Sequence, residues 1–320
     1  MIRRNSLQER IEELNRLRQD PRSNTTIGKL IQALASTSNH LAAAAARIMG
    51  ESKLEELEDS LIQAFDRFMN NPIKTDKGCA AKKAIAEALF QMGSHQEDLF
   101  LQGVRYIQLE PVYGGKEDTA AGLRCASAMG LVRMGYPDVM IELAHLLADK
   151  ELDARIGAVR AIAYARQGAG VPLLRFKALI GDEDARVSYE CFRGLLDLSP
   201  GDSLHFVGSF LKAEDHAIGE SAALALGESR LPGALDVLKV GWENTLDHDF
   251  RRFILLAIAM LRYEEAIDFL LSLIADASQG IARDAVAALE LYQDDTQIWG
   301  QVWEMIDARD DIDLSTSAHR

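Results

Sequence analysis

The sequence predicts an all-α fold, an α–α superhelix of stacked two-helix repeats. Three observations predict it. The first is a recurring pattern in which an anchor residue is followed three positions on by Ala or Gly and four positions on by a large apolar residue. It begins at Ile85, Cys125, Ala158, Cys191, Ala222, Ile254 and Ala285, at spacings of 40, 33, 33, 31, 32 and 31 residues. Residues three and four apart share a helix face, and a small residue there lets a neighbouring helix come close. The second observation is that each anchor segment ends in turn chemistry, as at Gly93, 135–138, 168–170, 199–202, 231–233 and 293–295, and is followed by a second apolar segment. The third is that acidic links at 181–184, 214–215 and 247–249 precede the next anchor segment, where acids satisfy the free N–H groups and the dipole of a helix N-terminus. No sustained β-branched alternation supports a sheet.

Taken in order, Ser6-Leu-Gln-Glu9 reads as a capping box. Leu7, Ile11, Leu14 and Leu17 then form an apolar stripe that Pro21 ends. A helical segment at 27–34 and an Ala-rich one at 40–49 follow. Second helices are expected around 140–147, 173–180, 206–211, 235–240, 267–274 and 298–306. Segments 70–78 and 109–118 interrupt the repeat and account for the 40-residue spacing. Insertions in such arrays fall on one face and often carry function. The chain therefore divides into N-terminal capping helices (1–38), a solenoid of about eight helix pairs (39–310) and a disordered acidic tail (311–320).

Over residues 39–310 the pattern resembles HEAT repeats, in particular the short variety of phycobilisome-lyase-like proteins. Asp153-Ala-Arg155 and Asp184-Ala-Arg186 are similar to the Asp-x-Arg opening of that family's first helix, and Asp307-Ala-Arg309 looks like the start of a further unit. The resemblance implies a HEAT-like solenoid. It implies a protein-binding function for most members, and a lyase or chaperone acting on a chromophore-bearing protein for some.

Charge narrows the partners. The formal net charge is -14, and residues 201–320 hold 9 Lys and Arg against 22 Asp and Glu. That third repels nucleic acid and anionic membranes, so nucleic-acid binding, including a HEAT-like DNA-repair protein, ranks last among the readings. No apolar run approaches the length of a membrane span. Three cysteines, Cys79, Cys125 and Cys191, do not make a disulfide framework, and a reducing cytoplasm is the simplest compartment.

The sequence offers no catalytic constellation, metal set or cofactor fingerprint. None of the seven His is followed by Glu, so the His-Glu metal pairs of HEAT-repeat hydroxylases are missing. Asp247-His248-Asp249 and Glu214-Asp215-His216 read as helix-capping loops in preference to a metal site. Cys125 and Cys191 sit at equivalent anchor positions and read as small core residues. Of the three thiols only Cys79, beside Lys74, Lys77, Lys82 and Lys83, lies among cations that would stabilise a thiolate, and an exposed, reactive role is the lesser reading for it.

The candidate partner-binding residues are Arg105, Tyr106, Arg175, Lys177, Lys239 and Trp242. The cations on second helices would line the concave side and the aromatics would anchor a partner. The sequence thus leads to a non-enzymatic scaffold or adaptor that binds a protein or peptide on its concave surface, with no cofactor and no membrane association.

Overall fold

The computed structural model describes residues 2–309. The expected tail, 311–320, lies outside them. The chain divides into two compact units, Met1–Arg166 and Gln167–Arg320.

Unit 1 runs α1 (Ile2–Arg16), α2 (Asn24–Leu34), α3 (Asn39–Glu51), α4 (Glu58–Met69), a short α5 (Pro72–Thr75), α6 (Ala80–Met92) and α7 (Glu97–Val104). A hairpin, β1 (Leu109–Val112) and β2 (Gly115–Asp118), precedes α8 (Ala121–Met134), α9 (Val139–Leu147) and α10 (Leu152–Ala165). Helix α1 already begins at Ile2, so Ser6 lies within it and not at its start. The first helices of the repeats, α3, α6, α8 and α10, stack one on the next, and α4, α7 and α9 cover one side of them.

Unit 2 runs α11 (Gly170–Ile180), α12 (Ala185–Leu198), α13 (Pro200–Ser209), α14 (His216–Ser229), α15 (Ala234–Asn244), α16 (His248–Met260), α17 (Glu264–Asp276), α18 (Gln279–Leu289) and α19 (Thr296–Asp307). Helices α12, α14, α16 and α18 stack in the same way, with α13, α15, α17 and α19 as second helices. These paired, stacked helices are a HEAT-like helical repeat fold in each unit.

The small third positions do what the spacing requires. Ala88, Ala128, Ala161, Gly194, Ala225, Ala257 and Ala288 are all buried. At two of them the preceding first helix presents a glycine. A Cβ on Gly50 of α3 would lie 2.6 Å from the Cα of Ala88, and one on Gly227 of α14 would lie 2.4 Å from the carbonyl oxygen of Ala257. The helix axes are that close because neither side carries bulk.

Helix ends are closed by two recurring devices. The acidic links cap as expected: Asp184, Asp215 and Asp247 accept from the backbone N–H groups of Arg186, Ala217 and Phe250, at 3.0, 2.9 and 2.7 Å. At C-termini an arginine from a later element reaches back to the last carbonyls. Arg67 donates to Leu34 of α2 at 2.6 Å. Arg133 donates to Phe90 and Gln91 of α6 at 2.6 and 3.2 Å. Arg309 donates to Ile274 and Ala275 of α17. A cation there meets both the unpaired carbonyls and the negative end of the helix dipole.

The hairpin corrects the expectation that no sheet is present. Its strands pair antiparallel, Leu109 with Asp118 and Val112 with Gly115, around a Tyr113-Gly114 turn in which Gly114 has φ 88°. Four-residue strands carrying Glu, Pro, Lys and Asp leave no alternation to read, since β-propensity reports mostly packing.

Candidate functional site

Unit 1 gathers its buried charge where the two inserts meet. Segment 70–78 contributes Asp76, and α6 contributes Lys82. Both side chains are fully buried, with Nζ of Lys82 3.0 Å from Oδ2 of Asp76. The same carboxylate accepts the backbone N–H groups of Ala81 and Lys82 at 2.8 and 3.1 Å, satisfying donors that open α6. Lys82 also donates to the Phe68 carbonyl at 3.3 Å and lies 5.3 Å from the Tyr106 ring centroid. Lys82 is therefore no part of a basic surface patch.

Insert 109–118 is bolted to this pair. The side-chain amide of Gln108 donates to the Asp76 carbonyl at 2.8 Å and to Oε1 of Glu110 at 2.7 Å. Glu110 accepts in addition the Gly78 N–H at 2.6 Å and the Thr119 hydroxyl at 2.9 Å. At the other end of the hairpin the Arg124 guanidinium donates to Asp118 at 2.7 Å, to the Tyr106 carbonyl at 2.8 Å and to Asp149 at 3.0 Å. An unpaired buried charge would be costly, and here each has partners.

Two acids of this base, Glu110 and Asp118, sit below the usual carboxylate range. Burial pushes Glu110 up, but hydrogen bonds from Gln108, Gly78 and Thr119 and the charge of Lys77 outweigh it. Burial likewise raises Asp118, and the N–H groups of Ala120 and Gln108 together with Arg124 more than reverse that. Folded pKa values below the unfolded ones stabilise the native state above about pH 4, the unfolded carboxylate range, and that contribution is lost as pH falls through the lower folded values. We expect hydrogen exchange of 107–119 to accelerate in acid before that of the α8–α10 core. The Glu110→Gln, Asp118→Asn variant is expected to show that fast exchange already at neutral pH; unchanged protection in it would show that the two acids do not hold the hairpin.

Two predicted binding residues belong to this base. Arg105, just after α7, pairs with Glu142 of α9 through Nε at 3.0 Å, and that hydrogen bond holds the Glu142 carboxyl below its ordinary value. Tyr106 is part-buried, and burial, with Cys79 and Asp76 beside it, pushes its hydroxyl up to about 12. Cys79 is buried, with φ 52°, and burial pushes its thiol up to about 12, which goes against the lesser reading of an exposed reactive cysteine.

The other four predicted residues lie in unit 2. Arg175 of α11 places its guanidinium 4.7 Å from the Phe206 ring of α13. Lys239 of α15 places its ammonium 4.5 Å from Phe269 of α17, and Trp242 meets the same ring edge-on at 6.0 Å. Arg251 of α16 closes the stack 4.4 Å from Trp242. Two of the four are buried: Trp242, enclosed by Phe269 and Arg251, and Lys177, whose Nζ lies 2.8 Å from Asp182, so neither presents the free anchor or free cation that the sequence predicts. Phe176, Leu179 and Ile180 on α11 and Val240 on α15 stand exposed near these second-helix positions in sequence. Sequence reasoning missed Phe269, Arg251 and the exposed face of α11; the i, i+3, i+4 apolar spacing of Phe176, Leu179 and Ile180 was the available signal, but it reads equally as core.

Among the described residues no group of three or more His, Cys, Asp or Glu could hold a metal ion. None of the described helices is long and apolar enough to cross a membrane.

No family model matches the sequence, and no curated protein matches it. Solved structures similar to it include the complex of CpcE and CpcF of phycocyanin lyase from Nostoc, at 16% identity over 88% of this chain and 93% of that one, with a TM-score of 0.36. Human deoxyhypusine hydroxylase in complex with glycerol is similar at 15% identity over 91% of this chain and 99% of that one, with a TM-score of 0.31. Both are enzymes, and this corrects the expectation of a non-enzymatic chain: a helical repeat lacking a legible catalytic motif is not thereby set apart from catalysts. Likenesses of this size concern the helical repeat and assign no activity.

Proposed function

We infer that the chain binds a protein or peptide partner through the second-helix face of unit 2. The observation that supports this is the chain of cation–aromatic contacts, Arg175 on Phe206, Lys239 and Trp242 on Phe269, and Arg251 on Trp242. Cations held over rings lose little conformational entropy on binding, and Arg in such settings is among the residues that dominate interfaces; Trp242 is buried and backs the cations from within. Exposed Phe176, Leu179, Ile180 and Val240 supply apolar area for the same partner. The reading concerns recognition and holds equally for a scaffold and for an enzyme whose substrate is a protein.

The test is affinity capture of the tagged full chain from its native lysate with nuclease treatment, crosslinking and mass spectrometry. One stoichiometric protein crosslinked to α11, α13 or α15, and lost from the Arg175→Glu, Lys239→Glu variant, is the expected result. Capture that vanishes with nuclease, or a partner retained by the double reversal, overturns it.

A further inference from the structure

The two inserts present a surface unlike the rest of the chain. Tyr113 at the hairpin tip is fully exposed, Ile107 is 62% exposed, and Ile73, Leu109 and Val112 are each close to half exposed. Large apolar side chains gathered on adjoining segments mark interaction sites more often than scattered ones do. The exposed charged residues around them are Lys74, Lys77 and Lys116 against Glu117, and these three lysines form no ion pair with any described residue. On the exposed side of the two inserts lysines thus outnumber acids, above the buried Asp76 and Glu110 and part-buried Asp118. A cleft of about 390 Å³ runs between the inserts, lined by Lys77, Glu110 and Glu117 together with His40, Pro111 and Val112.

The hairpin is also rigid where a surface loop need not be. Glu110 and Gln108 tie its base to segment 70–78, and Arg124 clamps Asp118. A preorganised element loses less entropy on binding than a floppy one. We propose that the paired inserts are a docking surface for a segment of a partner protein that mixes acidic with large apolar side chains, with Tyr113 as its anchor and Lys74, Lys77 and Lys116 meeting its carboxylates. A protein segment can set its carboxylates against the three lysines and away from Glu117, which a uniformly anionic membrane surface cannot do. The surface shares no residue with the second-helix face of unit 2, so the two readings fail separately.

The experiment uses the full chain and three sets of synthetic 12-residue peptides: Asp and Glu alternating with Leu and Phe, the same with Lys for each acid, and the acidic set with Ser for each apolar residue. Phosphatidylserine vesicles are the fourth probe. The expected result is binding of the acidic apolar set at least tenfold tighter than the other two, weakening with salt, with hydrogen-exchange protection over 107–117. Tyr113→Ala and Lys116→Glu, both at exposed positions, are each expected to lose about tenfold in affinity with an unchanged melting curve, and Arg175→Glu to lose none. No binding of the acidic apolar set, equal binding by the Tyr113 or Lys116 variant, loss in the Arg175 variant, or a preference for vesicles or for the lysine peptides overturns the proposal.

Discussion

Lys82→Met is expected to destabilise unit 1 by about 3–5 kcal/mol, the cost of stranding one partner of a buried ion pair. The reason is local. Asp76 is fully buried 3.0 Å from the Lys82 ammonium, and with the lysine gone its carboxylate keeps N–H partners but loses its counter-charge. Met fills the aliphatic volume, so the loss reports charge and not a cavity. For a unit of this size the melting temperature is expected to fall by roughly 10 °C. Urea unfolding followed by circular dichroism measures it. Adding Asp76→Asn to Lys82→Met is expected to recover part of the loss, because the neutral amide no longer needs a cation. A single-variant loss below about 1 kcal/mol, the range of an exposed pair, would mean that water reaches the pair.

Gly227→Val is the second large effect and falls on unit 2. Its Cβ would stand 2.4 Å from the Ala257 carbonyl oxygen and 3.0 Å from the Ala257 Cα, all backbone of α16. No side chain can swing away to make room, so α14 and α16 must move apart and the buried face between them opens. Overpacking of this kind costs about 1–3 kcal/mol, and more where backbone must move; at least about 3 kcal/mol is expected here. Gly300 in α19 provides the control, since a Cβ there meets nothing within 4 Å. Gly300→Ala is expected to stabilise by about 0.5–1 kcal/mol through helix propensity alone. Equal and small effects at both positions would show that the close approach of α14 and α16 does not exist in solution.

Those two predictions also mark what could be read from sequence. The approach of first helices was legible, because Ala88, Ala225 and Ala257 repeat at a local spacing that one helix face imposes. The insert base was not. Gly78 and Glu110 are 32 residues apart, and their contact depends on how α6 and α7 are stacked. Lys82, among Lys74, Lys77 and Lys83, looks like one more solvated cation, and nothing local announces that its ammonium is enclosed. Lys177 failed in the same way: its partner Asp182 lies just past the end of α11, and the spacing does not reveal burial. The candidate residues on second helices were found by type and position, but their stacking on Phe206 and Phe269 comes from neighbouring repeats meeting in space.

The reaching arginines carry a consequence for how such a chain can change over generations. The last carbonyls of α2, α6 and α17 are satisfied by Arg67, Arg133 and Arg309, each supplied from at least 33 residues downstream. A helix pair is thus not a self-contained module; its closing bonds are encoded in the sequence of its successor. Excising one whole pair would leave the pair before it with bare carbonyls unless the new neighbour happened to bring a cation to the same place. Duplication meets no such obstacle, because a copied pair arrives with the arginine its predecessor needs. Arrays wired in this way lengthen more readily than they shorten, and their inherited length is guarded by the wiring itself.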